Sequence, residues 1–437
     1  MKLNSLTMVN FRRFEELSVR FHPELTVIAA RNGKGKTTVL EAVALALGPF
    51  VGAFDESRGE NIKRTDARFT GDETQGQNEQ AFPVILDARF DDPRIHSLRE
   101  LRSGKGSTTT RGSRPLADYG KHLQHAVRKY EDVNLPLVCY YSSKRLWVHH
   151  NSTSSKAVSK SRTAGYTDCL SALSSINQLT QWVRKAELVD LQQQQRTKGG
   201  VIGRSSNLAG VSRAVANVLA DEGWTDFHYN FNLDSLAMHH PDHGTLPITI
   251  MSDGIRAMTS LSADIARRAC QLNPHHGPDA PRVTPGIVLI DEVDLHLHPE
   301  WQQRVLGRLQ ETFPLVQFVV STHSPQVLSS VSSANIRTID REGEHSWSAA
   351  SPVDEIKGLS SEVALSEVME VSPNPPVRET EARNAYIELI EQGLADSEAG
   401  RKLRTELEDT YGPEHRVIRD ADRLIRFQAL KAKRVAQ

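Results

Sequence analysis

Apolar positions alternate with polar ones from Leu3 to Phe21 (Leu3, Leu6, Met8, Phe11, Phe14, Leu17, Val19), the pattern of two short strands with one buried face. Leu25-Thr26-Val27-Ile28-Ala29-Ala30 is a continuous apolar run and predicts a buried strand. After a glycine-rich turn at 31–36 the period changes. Leu40, Val43, Ala44 and Leu47 recur at 3–4 spacing and predict a helix over 37–47. Residues 82–90 and 135–141 read as further strands, 55–80 as a polar loop, and 166–222 as helical with a break at Gly199-Gly200. A helix follows Ser252-Asp253-Gly254 as far as about residue 272. A proline-rich loop with Pro274, Pro278, Pro281 and Pro285 then leads into the apolar run Gly286–Ile290. Residues 301–312 read as one helix, 317–321 as a buried strand, and 377–437 as helical without strand signal. Strands and helices in this order imply an α/β core with parallel strands.

The balance of 53 Lys+Arg against 54 Asp+Glu excludes a protein working by bulk basicity. Local basic segments remain at 102–114 and 152–162, candidates for DNA contact or plain solvated loops. Three scattered cysteines, Cys139, Cys169 and Cys270, argue against a disulfide scaffold or a cysteine-rich zinc site. No stretch approaches the ~20 apolar residues of a membrane helix. No leader-like run stands at the N-terminus, so the expected location is cytoplasmic.

Candidate chemistry sits at the ends of the apolar strands. Ala30-Arg31-Asn32-Gly33-Lys34-Gly35-Lys36-Thr37 nearly matches the phosphate loop GxxxxGK[ST], with Ala30 in place of the first glycine. Small residues let backbone N–H groups turn onto phosphate oxygens, and the following helix offers its positive end to the same anion. Lys36 would bridge the terminal phosphates and Thr37 would ligate Mg²⁺. Asp291 and Glu292 close the run 287–290 and place two carboxylates at a sheet's C-terminal edge. Asp291 suits the metal and Glu292 suits a general base. Ser321-Thr322-His323-Ser324-Pro325 repeats the layout, with His323 a γ-phosphate contact. His296 and His298, at i and i+2, lie on one face if that segment is a strand. A structural or dimer-contact role is the expectation for them, ahead of a zinc site.

With these motifs in hand, the chain resembles the ABC-type ATPase heads of the SMC and overcoming-lysogenization-defect (OLD) group. Leu6-x-x-Val9-Asn10-Phe11-Arg12-Arg13-Phe14 looks like that group's opening strand pair. Asn32-Gly33-Lys34-Gly35-Lys36-Thr37-Thr38 looks like its Walker A, and Met251-Ser252-Asp253-Gly254 like its signature. Residues 291–299 look like its Walker B and D-loop, and His323 like its switch histidine. The resemblance implies ATP and Mg²⁺ as cofactors and head-to-head pairing of two subunits. Ser252 and Gly254 would then meet the nucleotide on the partner's Lys36, although Ile255 replaces the second signature glycine. It also implies that Arg12 reaches the adenine side, with Arg31, Asn32, Lys34 and Thr38 completing the nucleotide-binding loop. Gln75, Gln77 and Gln80 are candidates for the Q-loop.

The expected architecture is an α/β ABC-type P-loop head with a mixed sheet, in two parts (1–94 and 223–350). A mostly helical insert (95–222) lies between them, and a helical docking region (351–437) follows. The insert lacks the heptads of long-armed repair ATPases. The compact layout, Tyr140-Tyr141-x-x-x-Arg145-Leu146-Trp147 and the tail are similar to the ATPase subunits of the Septu antiphage system. That resemblance implies an ATP-binding subunit, in a homodimer or larger even-numbered assembly, that controls a separate HNH-type nuclease. Nucleic acid would be engaged through the complex. Arg416, Arg419, Arg423 and Arg426 line one helix face beside Ile418, Ala421 and Ile425, which reads as a face for a nuclease subunit or phosphates, or as a solvated one. The rival readings are a repair ATPase that binds DNA directly and a nucleotide-locked scaffold with little turnover.

Overall fold

The structure, a computed structural model, describes residues 1–71, 79–91, 93–143, 161–171, 176–196, 206–343 and 346–435. Strands β1 (Lys2–Phe11), β2 (Phe14–Arg20) and β3 (Leu25–Ala29) lead into helix α1 (Lys36–Val51). Next come the two-residue strands β4 (Phe69–Thr70) and β5 (Glu79–Gln80), then β6 (Val84–Asp91), β7 (Ile95–Leu101), α2 (Arg114–Arg128) and β8 (Leu137–Tyr141). Helices α3 (Ile176–Arg196) and α4 (Ser206–Val218) precede the strands β9 (Thr225–Asn230), β10 (Ser235–His240) and β11 (Gly244–Pro247). They are followed by α5 (Asp253–Leu272), α6 (Ala280–Val283), β12 (Gly286–Ile290), α7 (Pro299–Gln302), α8 (Val305–Thr312), β13 (Val316–Thr322) and α9 (Pro325–Leu328). Strands β14 (Ile336–Glu342) and β15 (Ser346–Ala350) and helices α10 (Ser361–Glu367), α11 (Arg378–Glu391), α12 (Glu398–Tyr411) and α13 (Arg416–Val435) complete the chain.

The central sheet runs β15-β14-β3-β13-β12-β8, parallel throughout except for the edge strand β15. Its inner strands are buried on both faces, which is why they read as unbroken apolar runs. An antiparallel sheet, β2-β1-β6-β7, packs over α1 from the other side. Helix α1 is therefore buried nearly all round, from Val39 to Val51, and not along the single stripe its spacing predicts. Gln317 joins the two sheets. From the fully buried middle of the molecule its side chain accepts from Leu3 N at 2.7 Å, and it donates to Leu3 O and His22 O at 2.8 and 2.9 Å.

Several expectations change. The segment 95–222 supplies β7 to the antiparallel sheet and β8 to the central one, so it does not stand apart as a helical insert. The chain divides into two compact units, Met1–Met369 and Glu370–Gln437, and not at residue 351. The three-stranded sheet β11-β10-β9 occupies a histidine- and asparagine-rich stretch without a clear alternating signal. The helix expected over 301–312 is two short helices broken at Gln303 and Arg304.

The second unit is a small helical bundle with its own core of Tyr386, Ile390, Leu407, Ile418 and Ala421. The apolar face of α13 is thus spent inside that bundle. Arg416 and Arg423 pair with Asp420 on the same helix. The three cysteines are buried thiols. No helix among the described residues is long and apolar enough to cross a membrane.

Gln317→Leu removes the three hydrogen bonds that the side chain makes to the Leu3 amide and carbonyl and to the His22 carbonyl. We expect it to lower the unfolding free energy of the first unit by about 3 kcal/mol, read as a drop in the urea midpoint with an unchanged slope.

Candidate nucleotide site

Strand β3 delivers the chain to the sheet's C-terminal edge, where it must reverse into α1. Gly33 and Gly35 make the reversal with φ of 75° and 101°, in the left-handed region. At Gly35 a side chain is doubly excluded, because its Cβ would lie 2.4 Å from the Phe14 ring. Ala30, the departure from the motif, is absent from the positive-φ positions, so alanine serves there without strain. Lys36 is 6% exposed and its ammonium donates to Ala30 O at 2.8 Å, 3.5 Å from His323 Nδ1. Burial lowers its pKa, and Asp291, Glu292 and Asp294 oppose that shift.

The neighbouring strands supply the carboxylates. Thr37 Oγ1 donates to Asp291 at 2.9 Å and Ser321 Oγ donates to the same carboxylate at 2.6 Å, so α1, β12 and β13 meet on one side chain. Thr37 and Asp291 form an oxygen-only donor pair, the set that suits a hard cation such as Mg²⁺. Glu292 stands one residue on, with φ of 50° and its N–H donating to Ser321 Oγ at 2.8 Å. A non-glycine residue in that region costs energy, and such outliers cluster at functional sites. Asp294 accepts from Thr322 Oγ1 at 2.6 Å. Burial first, then Lys36, lowers the His323 pKa below the ordinary histidine value. The imidazole is therefore neutral at pH 7.

Ser252 and Gly254 lie elsewhere. Ser252 caps α5, accepting from Ile255 N, so Ile255 serves as an ordinary first-turn residue. Gly254 runs so close to the turn after β12 that a Cβ would sit 2.8 Å from His296 O. Both line an open cleft of about 320 Å³ with Glu222, His296, His298 and Trp301, and none of Lys36, Thr37 and Asp291 lines it. The histidines are not on a strand, since β12 ends at Ile290 and His298 instead caps α7, accepting from Glu300 N. No metal-binding group of three His, Cys, Asp or Glu residues occurs among the described residues.

The remaining residues separate as follows. Arg12 is ion-paired to Glu41 of α1 and to Asp66. It is the adjacent Arg13 that reaches the phosphate loop. Its guanidinium stacks 4.8 Å from the Trp347 ring centroid, and its side chain borders Gly33 and Gly35. Lys34 pairs with Asp340 of β14 at 2.5 Å, and Arg31 donates to Met369 O at 3.3 Å. Asn32 is exposed in the loop and Thr38 lies in the first turn of α1. Of the Q-loop candidates, Gln80 is held by Arg64, while Gln75 and Gln77 lie outside the described residues, as do Arg145 to Trp147. Sequence reasoning missed Arg13, Ser321 and Trp347. The doubled arginine was the one available signal: the two residues form the turn between β1 and β2, and Arg12 takes a positive φ of 51° there.

Among known proteins, the AAA domain family matches residues 5–200. The retron Vc95 probable ATPase of Vibrio cholerae serotype O1 biovar El Tor is 24% identical, over 92% of this chain and 86% of its own length. The chain is a P-loop ATPase, similar to the AAA domain family in its N-terminal part and to a retron ATPase along most of its length. This ATPase is also 37% identical to the retron Ec83 probable ATPase of Escherichia coli, over 40% of the chain and 31% of that relative. It is 41% identical to the Septu protein PtuA of Bacillus mycoides over 17% of the chain and 10% of that relative. Among solved structures, the SMC head domain from Thermotoga maritima aligns with a TM-score of 0.44 and 15% identity, covering 80% of this chain and 99% of that one.

Two outcomes follow from this geometry. Gly35→Ala meets both a forbidden φ and the Phe14 ring, so the nucleotide-free protein should lose about 1–3 kcal/mol in a denaturant titration. Because the folded-state pKa of His323 is lowered, its contribution to stability is present above the unfolded histidine pKa and is lost as pH falls through that value towards the folded pKa. Urea midpoints measured from pH 7.5 to 5.5 should fall less in His323→Gln than in wild type.

Proposed function

We propose that this ATPase is the nucleotide-binding subunit of a prokaryotic antiphage complex, in which two heads pair around ATP and govern a separate HNH-type nuclease. The observation that carries the reading is the similarity to a retron probable ATPase along 92% of the chain. The partial match to a Septu protein points the same way. Supporting it is the separation of Ser252 and Gly254, in their own open cleft, from Lys36, Thr37 and Asp291. A hydroxyl and a backbone N–H at a helix start make an anion-binding half-site, and a second head is the natural source of its phosphate.

In this reading the phosphate loop cradles the triphosphate with backbone N–H groups, and Lys36 leaves the Ala30 carbonyl for the terminal phosphates. Thr37 and Asp291 would hold the metal, which would supply charge compensation for the phosphates, and Ser321 keeps the Asp291 carboxylate in place. When bound, ATP·Mg supplies a transferable phosphoryl group whose negative charge the cation offsets. Glu292 accepts a proton from the attacking water. His323 would contact the γ-phosphate by hydrogen bonding.

Native mass spectrometry with Mg-ATP tests the pairing. Wild type should appear in even-numbered assemblies with one nucleotide per chain, and Lys36→Ala should carry none. Glu292→Gln should still bind and pair, while phosphate release falls by about 10²–10⁴-fold. An unchanged monomer that binds one ATP would overturn the paired arrangement. ATP-stimulated binding of DNA by this chain alone, steeply salt-dependent, would favour a repair ATPase.

A further inference from the structure

The cations around the phosphate loop are engaged, with one exception. Arg12 pairs with Glu41 and Asp66, Lys34 pairs with Asp340, Arg31 donates to Met369 O and Lys36 donates to Ala30 O. Arg13 is exposed and makes no hydrogen bond or ion pair among the described residues. An aromatic face holds it instead, with the guanidinium carbon 4.8 Å from the Trp347 ring centroid. An arginine lying over an indole keeps its N–H edge free for a second partner. Partial burial first, then the like charge of Arg341, lower its pKa, and the group stays charged at any working pH.

Trp347 is itself fixed. It is half-buried on β15, opposite Arg341 of β14, and its ring meets the buried Phe14 at 5.2 Å, edge to face. Phe14 in turn lies against Gly35. The hairpin β14–β15, which belongs to no phosphate-loop motif, thus sets the guanidinium beside the loop. Two glycines give its direction. A Cβ built on Gly35 would lie 3.0 Å from Arg13 Cδ, and one built on Gly33 would lie 3.8 Å from Arg13 Nη1. The stem therefore passes Gly35 and the charged end stands at Gly33, on the side of the β1–β2 turn. Lys36, Thr37 and Asp291 meet on the side of β12 and β13. An exposed cation at a turn of backbone N–H groups suits an anion held by that turn.

We propose that Arg13 is a phosphate-binding residue of the nucleotide site, its guanidinium donating to the phosphate chain of ATP from the side of the β1–β2 turn, and that Trp347 is the positioning residue that aims it. This rests on the nucleotide reading of Lys36, Thr37 and Asp291. The two arginines of the turn divide the work: Arg12 ties the turn to α1 through Glu41, and Arg13 serves the ligand. Trp347 lies near the other end of the first unit and reaches the loop only because β15 follows β14 along the edge of the central sheet.

Arg13→Ala, Arg13→Lys and Trp347→Leu test this. Each is titrated calorimetrically with Mg-ATP and, separately, with magnesium tripolyphosphate, which has a phosphate chain and no base. The thermal midpoint without ligand is measured beside them, and Lys36→Ala is the non-binding control. Arg13→Ala should raise both dissociation constants by the same factor, roughly ten- to a hundredfold, the range for a hydrogen bond to a charged group. Its ligand-free midpoint should stay at the wild-type value, because an exposed side chain without polar partners leaves nothing unsatisfied. Arg13→Lys should recover little, since an ammonium keeps the charge and loses the stacked fork. Trp347→Leu should weaken both ligands, and should weaken them no further when Arg13 is already alanine, a coupling that a merely structural tryptophan would not show. Unaltered constants in Arg13→Ala overturn the proposal, and so does a lowered ligand-free midpoint, which would make the side chain structural. A loss confined to Mg-ATP overturns it too, by placing the guanidinium on the base. If wild type binds neither ligand, the nucleotide reading fails first and takes this proposal with it.

Discussion

The hydrogen bond from Thr37 to Asp291, with Ser321 closing on the same carboxylate, is the contact on which the site depends. It ties the first turn of α1, the tip of β12 and the tip of β13 to one buried acid. A carboxylate that is 1% exposed must be fully engaged. The two hydroxyls that engage it also fix where the phosphate loop ends and where Glu292 begins. Ser321 does double duty, because it also accepts from the Glu292 amide and so holds that residue in its left-handed backbone. One small side chain thus sets the spacing between a metal-ligand candidate and a base candidate.

That junction is kept rigid by what surrounds α1. A helix clamped between a parallel sheet and an antiparallel sheet has no solvent face along most of its length, so it has little freedom to tilt. Gln317 ties the same two layers with three buried hydrogen bonds, and Arg99 adds further bonds to the carbonyls of Leu45 and Glu60. These polar contacts are specific where apolar packing is permissive: the sheets can approach α1 in one register only. On the far side of the central sheet, Asp264 takes Tyr141, Arg267 and Arg268 together, and this ties the helix that starts at Ser252 to β8. Tyr141 of β8 is thereby tied to the helix that Ser252 caps.

Much of this was legible from local pattern. The inner strands read as apolar runs because both faces are covered, and the phosphate loop read as a loop because Gly33 and Gly35 take φ values that other residues resist. Where sequence reading failed, the cause was non-local. Residues 95–222 look like an insert, yet β7 and β8 leave it to pair with distant strands. Arg12 and Arg13 look equivalent, but in the turn between β1 and β2 one meets Glu41 and the other stacks on Trp347. The arginines of α13 line a face as the spacing implies, while the adjoining apolar face, which looks free, is covered by α11 and α12.

The sequence by itself determined the type of chemistry: a glycine turn before Lys36 and Thr37, two carboxylates after an apolar strand, and a histidine after the next. Those features depend on backbone conformation and on neighbours within a few residues, so they survive in a linear reading. Only the tertiary structure decided which side chains meet. Strand order brought β8 beside β12, and register set Tyr141 towards α5. Packing placed Ser252 and Gly254 in a cleft apart from Lys36. Pairing between strands far apart in the chain depends on the summed burial of whole layers, and no short stretch of residues carries that information.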